Sequence, residues 1–212
     1  QVGCVIARNE EIVAEGWHVR AGAAHAEIEA LNVAGRSARD ADVYVTLEPC
    51  SHTGRTPPCA PALIEAGVRR VVVAMEDPNP KVSGNGLQML KQAGIEIAVG
   101  PGTQEARQLN EGFVLRMERN RPLIRVKLAA TIDGRTAAAD GSSQWITSAK
   151  ARQDVHHWRA ASAAVVTGIG TITRDNPRLN ARLDSDLVQP IRVVLDGNRK
   201  LDPGGSLFTV EG

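Results

Sequence analysis

Apolar residues 2–6 and 12–17 flank the polar stretch Arg8-Asn9-Glu10-Glu11. Two apolar runs around a short polar turn predict a β-hairpin. Residues 25–34 (HAEIEALNVA) are rich in helix formers and are followed by Gly35, so they predict a helix that stops at a glycine. The β-branched run 42–47 predicts a strand. Pro58 precedes a second helix over 59–66, closed by Gly67. Residues 68–75, apolar but for Arg69 and Arg70, predict a strand covered on both faces. A helix over 86–93, a cap at Gly94 and a strand over 95–99 complete the order ββαβαβαβ. That order predicts a three-layer α/β/α domain with a mostly parallel sheet.

Residues 103–120 form a polar connector with helical composition. Beyond it the pattern predicts a strand over 123–130, a helix over 148–160 with Ser148 as N-cap, and strands over 163–167 and 191–195. This second stretch also alternates β and α, but only a few elements reach Gly212. The expected organisation is one domain over residues 1–120 and the first part of a larger α/β domain over 121–212. There is no internal repeat and no low-complexity segment.

Hydrophobic residues make up 42% and charged residues 23%, as in a soluble globular protein. Aromatics are only 3%, so the core must be aliphatic. The net charge is +1 with mixed signs, which argues against a nucleic-acid partner. No apolar run approaches the roughly 18 residues of a membrane span, and no secretory signal is visible. Three cysteines are an odd number, against a disulfide framework and for a reducing, cytoplasmic setting. Cys4 lies in an apolar run and is expected in the core. The chain opens at Gln1 inside a strand pattern, so a preceding segment is expected.

The chemistry concentrates in His25-Ala26-Glu27, Pro49-Cys50 and Cys59. A His-x-Glu followed by Pro-Cys and a further Cys is the arrangement of zinc-dependent deaminases. His25, Cys50 and Cys59 supply three zinc ligands, and a catalytic zinc keeps its fourth position for water. Glu27 then serves as the acid–base that moves protons without binding metal. Each cysteine follows a proline, where a helix start would favour the thiolate. A closed structural site, with His18 or His52 as fourth ligand, is the alternative reading. Eight residues separate Cys50 from Cys59, not the two of most such deaminases. The inserted loop offers His52 and Arg55 as candidate substrate or phosphate contacts.

In the second stretch, Gly168-Ile169-Gly170-Thr171 follows a predicted strand and could bring backbone N–H groups to a phosphate. It lacks the third glycine of a dinucleotide fingerprint. Arg159 and Arg182 are either surface residues or a fork for a substrate phosphate. Trp145 is either core or a face for a nicotinamide. Asp175 either orients cofactor and substrate or forms an Asx-turn ahead of Pro177.

The segment Glu48-Pro49-Cys50-Ser51-His52-Thr53-Gly54-Arg55-Thr56-Pro57-Pro58-Cys59 resembles the signature of the RibD family, the bifunctional riboflavin-biosynthesis deaminase/reductases. Asp77-Pro78-Asn79-Pro80, Lys127-Leu128-Ala129-Ala130-Thr131-Ile132-Asp133-Gly134, Ser142-Ser143-Gln144-Trp145 and Asp175-Asn176-Pro177-Arg178-Leu179 resemble its further blocks. The resemblance implies a cytidine-deaminase-like domain followed by a dihydrofolate-reductase-like one, with Zn2+ and NADPH as cofactors. It implies hydrolytic deamination of a phosphoribosylaminopyrimidine, then reduction of the ribosyl group to ribityl. It assigns Ala129, Thr171 and Asp175 to the cofactor and Ser143, Leu179 and Arg182 to the substrate, and it favours Arg159 as a phosphate contact; Trp145 is expected at the cofactor. It also implies a homodimer. The family's strand-leading Asn before Val2, its later glycine-rich cofactor loop and its closing strands lie outside the sequence, so a longer protein is expected. A deaminase of nucleic-acid bases and a non-catalytic zinc module are the competing functions.

Overall fold

Inward-facing aliphatic residues at every second position build the first sheet. In β1 (Gly3–Arg8) Cys4 and Ile6 are buried, and in β3 (Asp42–Val45) Val43 and Val45 are. β2 (Glu11–Trp17) pairs with β1 through the expected hairpin, and β4 (Arg70–Val73) and β5 (Glu96–Val99) complete the order β2-β1-β3-β4-β5. The computed structural model describes residues 1–80, 82–184 and 187–209. The sheet is less parallel than the pattern predicts. β3, β4 and β5 run parallel, but β1 is antiparallel to both of its neighbours. The cause is local: a tight hairpin reverses β2, and the chain returns through a helix to pair β3 on the far side of β1.

Three helices cover the face that carries Ile6, Val43, Val71 and Val73. They are α1 (Ala26–Ala34), α2 (Cys59–Ala66) and α3 (Asn85–Gln92). Ala26, Ala30, Leu63 and Leu90 meet those strand residues in one aliphatic core. Burying each large side chain contributes about 1.5–3 kcal/mol. α2 has the predicted bounds, with Pro58 at its N-cap and Gly67 in the left-handed conformation at its end. Strands β3 and β4 are shorter than their apolar runs. The polar connector divides at Asn110 into α4 (Thr103–Leu109) and α5 (Glu111–Arg119). Ala106 and Val114 of these helices pack on Met75 beside Leu47 and Ala74, as a separate small cluster.

The chain divides into two compact units, Gln1–Arg125 and Val126–Gly212. In the second, α6 (Ala149–Ala160) begins at Ser148, whose Oγ accepts from the Ala151 N–H at 3.2 Å. β6 (Ala164–Gly168) leads directly into α7 (Ile169–Asp175) and pairs in parallel with β7 (Ile191–Leu195). Ile172, Leu179 and Leu207 form its core with Val165, Val194 and Leu201. The strand predicted over 123–130 is not formed. Ile124, Val126 and Leu128 are 78–80% exposed, and the segment has no ladder partner among the described residues. β propensity alone does not make a strand without a neighbour to pair with. Among the described residues no helix is long and apolar enough to cross a membrane.

Gly16 lets β2 approach α1. A Cβ there would stand 2.3 Å from the Ala26 carbonyl oxygen and 2.4 Å from the Ala30 nitrogen. Gly16→Ala is therefore expected to destabilise the first unit by about 1–3 kcal/mol through overpacking. Urea unfolding checks this, and an unchanged midpoint would contradict the packing.

Candidate metal centre

Three separate segments bring their side chains to one point. His25 is the N-cap residue of α1 and is extended (φ −75°, ψ 160°), so Glu27 falls in the helix's first turn. Cys50 lies in the irregular stretch after β3, not at a helix start as expected. Cys59 is the first residue of α2, reached through Pro57-Pro58, with Pro58 extended (φ −71°, ψ 145°). Proline's fixed φ suits both that approach and the first turn that follows.

His25 Nδ1 is 3.5 Å from Cys50 Sγ and 3.3 Å from Cys59 Sγ, and all three ligand atoms lie within 4.8 Å of one another. One ring nitrogen cannot satisfy two sulfurs by hydrogen bonding. A tetrahedral zinc bound at about 2.1 Å to nitrogen and about 2.3 Å to sulfur would separate them by about 3.6 Å. The donor set and its spacing therefore fit a zinc ion. The other ring nitrogen, Nε2, is 3.2 Å from Thr56 Oγ1, in the inserted loop. With Nε2–H donating there, the Nδ1 lone pair faces the sulfurs, the usual outer support of a ligating imidazole.

No fourth histidine, cysteine or carboxylate joins the cluster among the described residues. His18 stands edge-on to His25 with ring centroids 5.4 Å apart, and its Nδ1 lies 2.9 Å from the Ala24 carbonyl. His52 and Arg55 are exposed on the inserted loop.

The electrostatics separate the two thiols. The Cys59 side chain and the Cys59 backbone N–H, 3.3 Å from Cys50 Sγ, push Cys50 down to about 5. The α2 N-terminus thus stabilises the thiolate, although Cys50 itself is outside the helix. Cys59 moves up, through its shared hydrogen bond with Cys50 and its burial. Glu27 is 3% exposed, and burial, reinforced by the Cys50 charge, pushes it up to about 7. Cys4 is a buried core thiol raised by desolvation.

Glu48 is also buried, at 4% exposure, and among the described residues no salt bridge reaches it. Its Oε2 accepts from the N–H groups of Asp77 (3.1 Å) and Gly84 (3.0 Å). Its Oε1 accepts from those of Gly86 (2.9 Å) and Leu87 (3.4 Å). Burial raises Asp77, with Glu48 adding to the effect and His52 opposing it. The residue-level reading of the sequence singled out none of Glu48, Thr56 and Asp77 as functional. Their signal was present only as neighbours in the motif blocks.

In the second unit the structure joins two of the predicted residues. Arg159 Nη1 donates to the Asn180 carbonyl (3.1 Å) and Arg182 Nη1 to Asn180 Oδ1 (3.0 Å). Burial, with the Arg182 charge nearby, lowers Arg159. His156 Nδ1 accepts from the Arg182 N–H at 3.2 Å. The other predicted residues are scattered. Leu179 points into the core with a left-handed backbone (φ +58°), Ser143 and Ala129 are half-buried, and Thr171 and Asp175 are exposed on α7. Trp145 is 69% exposed, so it is not core, and the Arg152 guanidinium sits 4.3 Å from its ring centre.

The raised Glu27 carboxyl has a consequence for the metal-free protein. A folded-state value above the unfolded one gives stability that is full below about 4.5 and is lost as pH rises through about 7. Cys50, shifted down, acts in the opposite sense, between about 5 and 9. Glu27→Gln is therefore expected to remove the loss between pH 4.5 and 7 and leave the thiol contribution. Denaturant unfolding in chelator across this range, wild type against variant, checks it.

Comparison with known proteins follows the same division. Residues 1–75 match the cytidine and deoxycytidylate deaminase zinc-binding region, and residues 122–211 match the RibD C-terminal domain. The riboflavin biosynthesis protein RibD of Escherichia coli is 53% identical over 214 residues, covering 95% of this chain and 58% of the relative. A solved RibD structure from Acinetobacter baumannii aligns with a TM-score of 0.92 at 50% identity, over 98% of this chain and 60% of that one. The diaminohydroxyphosphoribosylaminopyrimidine deaminase/5-amino-6-(5-phosphoribosylamino)uracil reductase of Thermotoga maritima aligns with a TM-score of 0.86 at 42% identity, over 93% and 56%. The chain thus spans about three-fifths of the relatives it matches. Over the stretch it shares with them, it is similar to the RibD family in both halves.

Proposed function

We propose that this chain carries the deaminase, and the leading part of the reductase, of a bifunctional enzyme of riboflavin biosynthesis. The observation that carries the reading is the three-donor cluster of His25, Cys50 and Cys59 with the buried Glu27 beside it. The deaminase occupies residues 1–120 and the reductase portion 121–212. The substrate is 2,5-diamino-6-(5-phosphoribosylamino)pyrimidin-4-one. Its deaminated product, 5-amino-6-(5-phosphoribosylamino)uracil, is then reduced at the ribosyl group with NADPH. The names of the relatives and the match of both halves support the pair of activities.

His25, Cys50 and Cys59 hold the zinc ion, which when bound supplies Lewis-acid activation of water. Glu27 does the proton work. It takes a proton from the attacking water, passes it to the ring nitrogen, and delivers a second to the departing ammonia. A buried carboxyl held beside the ligands can do both. Thr56 orients His25, while His52 and Arg55 project from the inserted loop toward the substrate's polar groups. In the second unit Arg159 and Arg182, gathered on Asn180, are the fork for the substrate phosphate. Ser143 and Leu179 contribute further substrate contacts, and Ala129, Trp145, Thr171 and Asp175 contact NADPH. The partner is a small molecule rather than nucleic acid, in keeping with a net charge of +1. The free thiols fit a cytoplasmic setting, and the homodimer rests on the resemblance alone.

Glu27→Gln is expected to keep zinc and lose ammonia release by about 100-fold or more. Metal analysis and an ammonia assay on the phosphoribosylaminopyrimidine check this, and retained turnover overturns the role of Glu27. In the intact protein, Arg182→Ala is expected to raise KM for the deaminated product by about 10-fold or more, with a smaller change in kcat, the loss of one hydrogen bond to a charged group. NADPH oxidation at 340 nm checks it.

A further inference from the structure

We infer that Glu48 is a positioning residue for the ligand Cys50. The inference rests on the zinc reading above and adds the device that holds one ligand in place. An ionised carboxylate offers about four acceptor sites. Four backbone N–H groups, from Asp77, Gly84, Gly86 and Leu87, occupy the Glu48 oxygens. The side chain therefore has no free lone pair with which to bind metal or move a proton. What it does is mechanical.

The Glu48 backbone N–H donates to the Met75 carbonyl at 3.0 Å, and its side chain ties the same residue to the turn that starts α3. Pro49, with its fixed φ, transmits that anchoring to the next residue. The Pro49 carbonyl oxygen abuts Gly86 so closely that a Cβ there would stand 1.9 Å from it. On its other side Cys50 accepts from the Ala60 N–H through its carbonyl (3.0 Å) and from the Cys59 N–H through its sulfur (3.3 Å). Cys50 has no regular secondary structure to fix it. It is suspended between the Glu48 anchor and the first turn of α2, and both are needed to set Sγ 3.5 Å from His25 Nδ1.

Glu48→Gln keeps the shape but turns an NH2 group toward amide donors, so one side of the anchor is lost. Zinc affinity is measured by competition with a chromophoric chelator. Ligand geometry is read from the absorption bands of the cobalt(II)-substituted protein, and folding from thermal unfolding of the metal-free form. The expected result is a folded variant with zinc affinity about 10–100-fold weaker and shifted cobalt bands. Gly86→Ala, whose added Cβ would press on the Pro49 carbonyl, is expected to do the same and serves if Glu48→Gln does not fold. A folded variant with wild-type affinity and wild-type bands overturns the inference and leaves Glu48 a purely structural residue. A wild-type protein that takes up no zinc overturns the metal reading itself, and the inference with it.

Discussion

Everything at the metal centre depends on holding two sulfurs and one imidazole nitrogen together at a partly buried point. Thiolates repel each other and lose solvation on burial, so the site cannot assemble from local preference. It is assembled by a rigid aliphatic sheet. α1 presents His25 and Glu27, the chain leaving β3 presents Cys50, and α2 presents Cys59. Each segment is anchored by core residues such as Ala30, Val45 and Leu63. The α2 amide at Cys59 then relieves part of the charge cost at Cys50.

Within that frame, close approach matters as much as apolar burial. Gly16 brings α1 onto β2, and Gly86 brings the start of α3 onto Pro49. The first contact ties the helix bearing Glu27 to a strand without ligands, and the second ties a helix without ligands to the segment bearing Cys50. The buried Glu48 carboxylate is answered by backbone. Glu48 is neutralised in effect by amides, which fix direction as well as charge.

The first unit was readable in the sequence because its signals are local. Proline before Cys59 and glycine at 67 mark the ends of α2, and alternating or continuous aliphatic runs mark the strands. The metal ligands were readable because zinc chemistry limits both residue type and neighbours. What was not readable depends on partners distant in sequence. The antiparallel pairing of β1 with β3 and the acceptor role of Glu48 are both set by residues tens of positions away. In the second unit, Leu179 matched a family position, yet its side chain belongs to the core. A sequence match places a residue near a ligand without saying whether backbone or side chain meets it.

The unequal thiols have a consequence for how the centre is charged with metal. Near neutral pH Cys50 already stands as thiolate, while Cys59 retains its hydrogen. Occupancy by a divalent ion therefore expels that hydrogen into solution, so uptake acidifies the medium and tightens as alkalinity increases. Acidification works the other way, because protons compete with the ion for the same sulfurs.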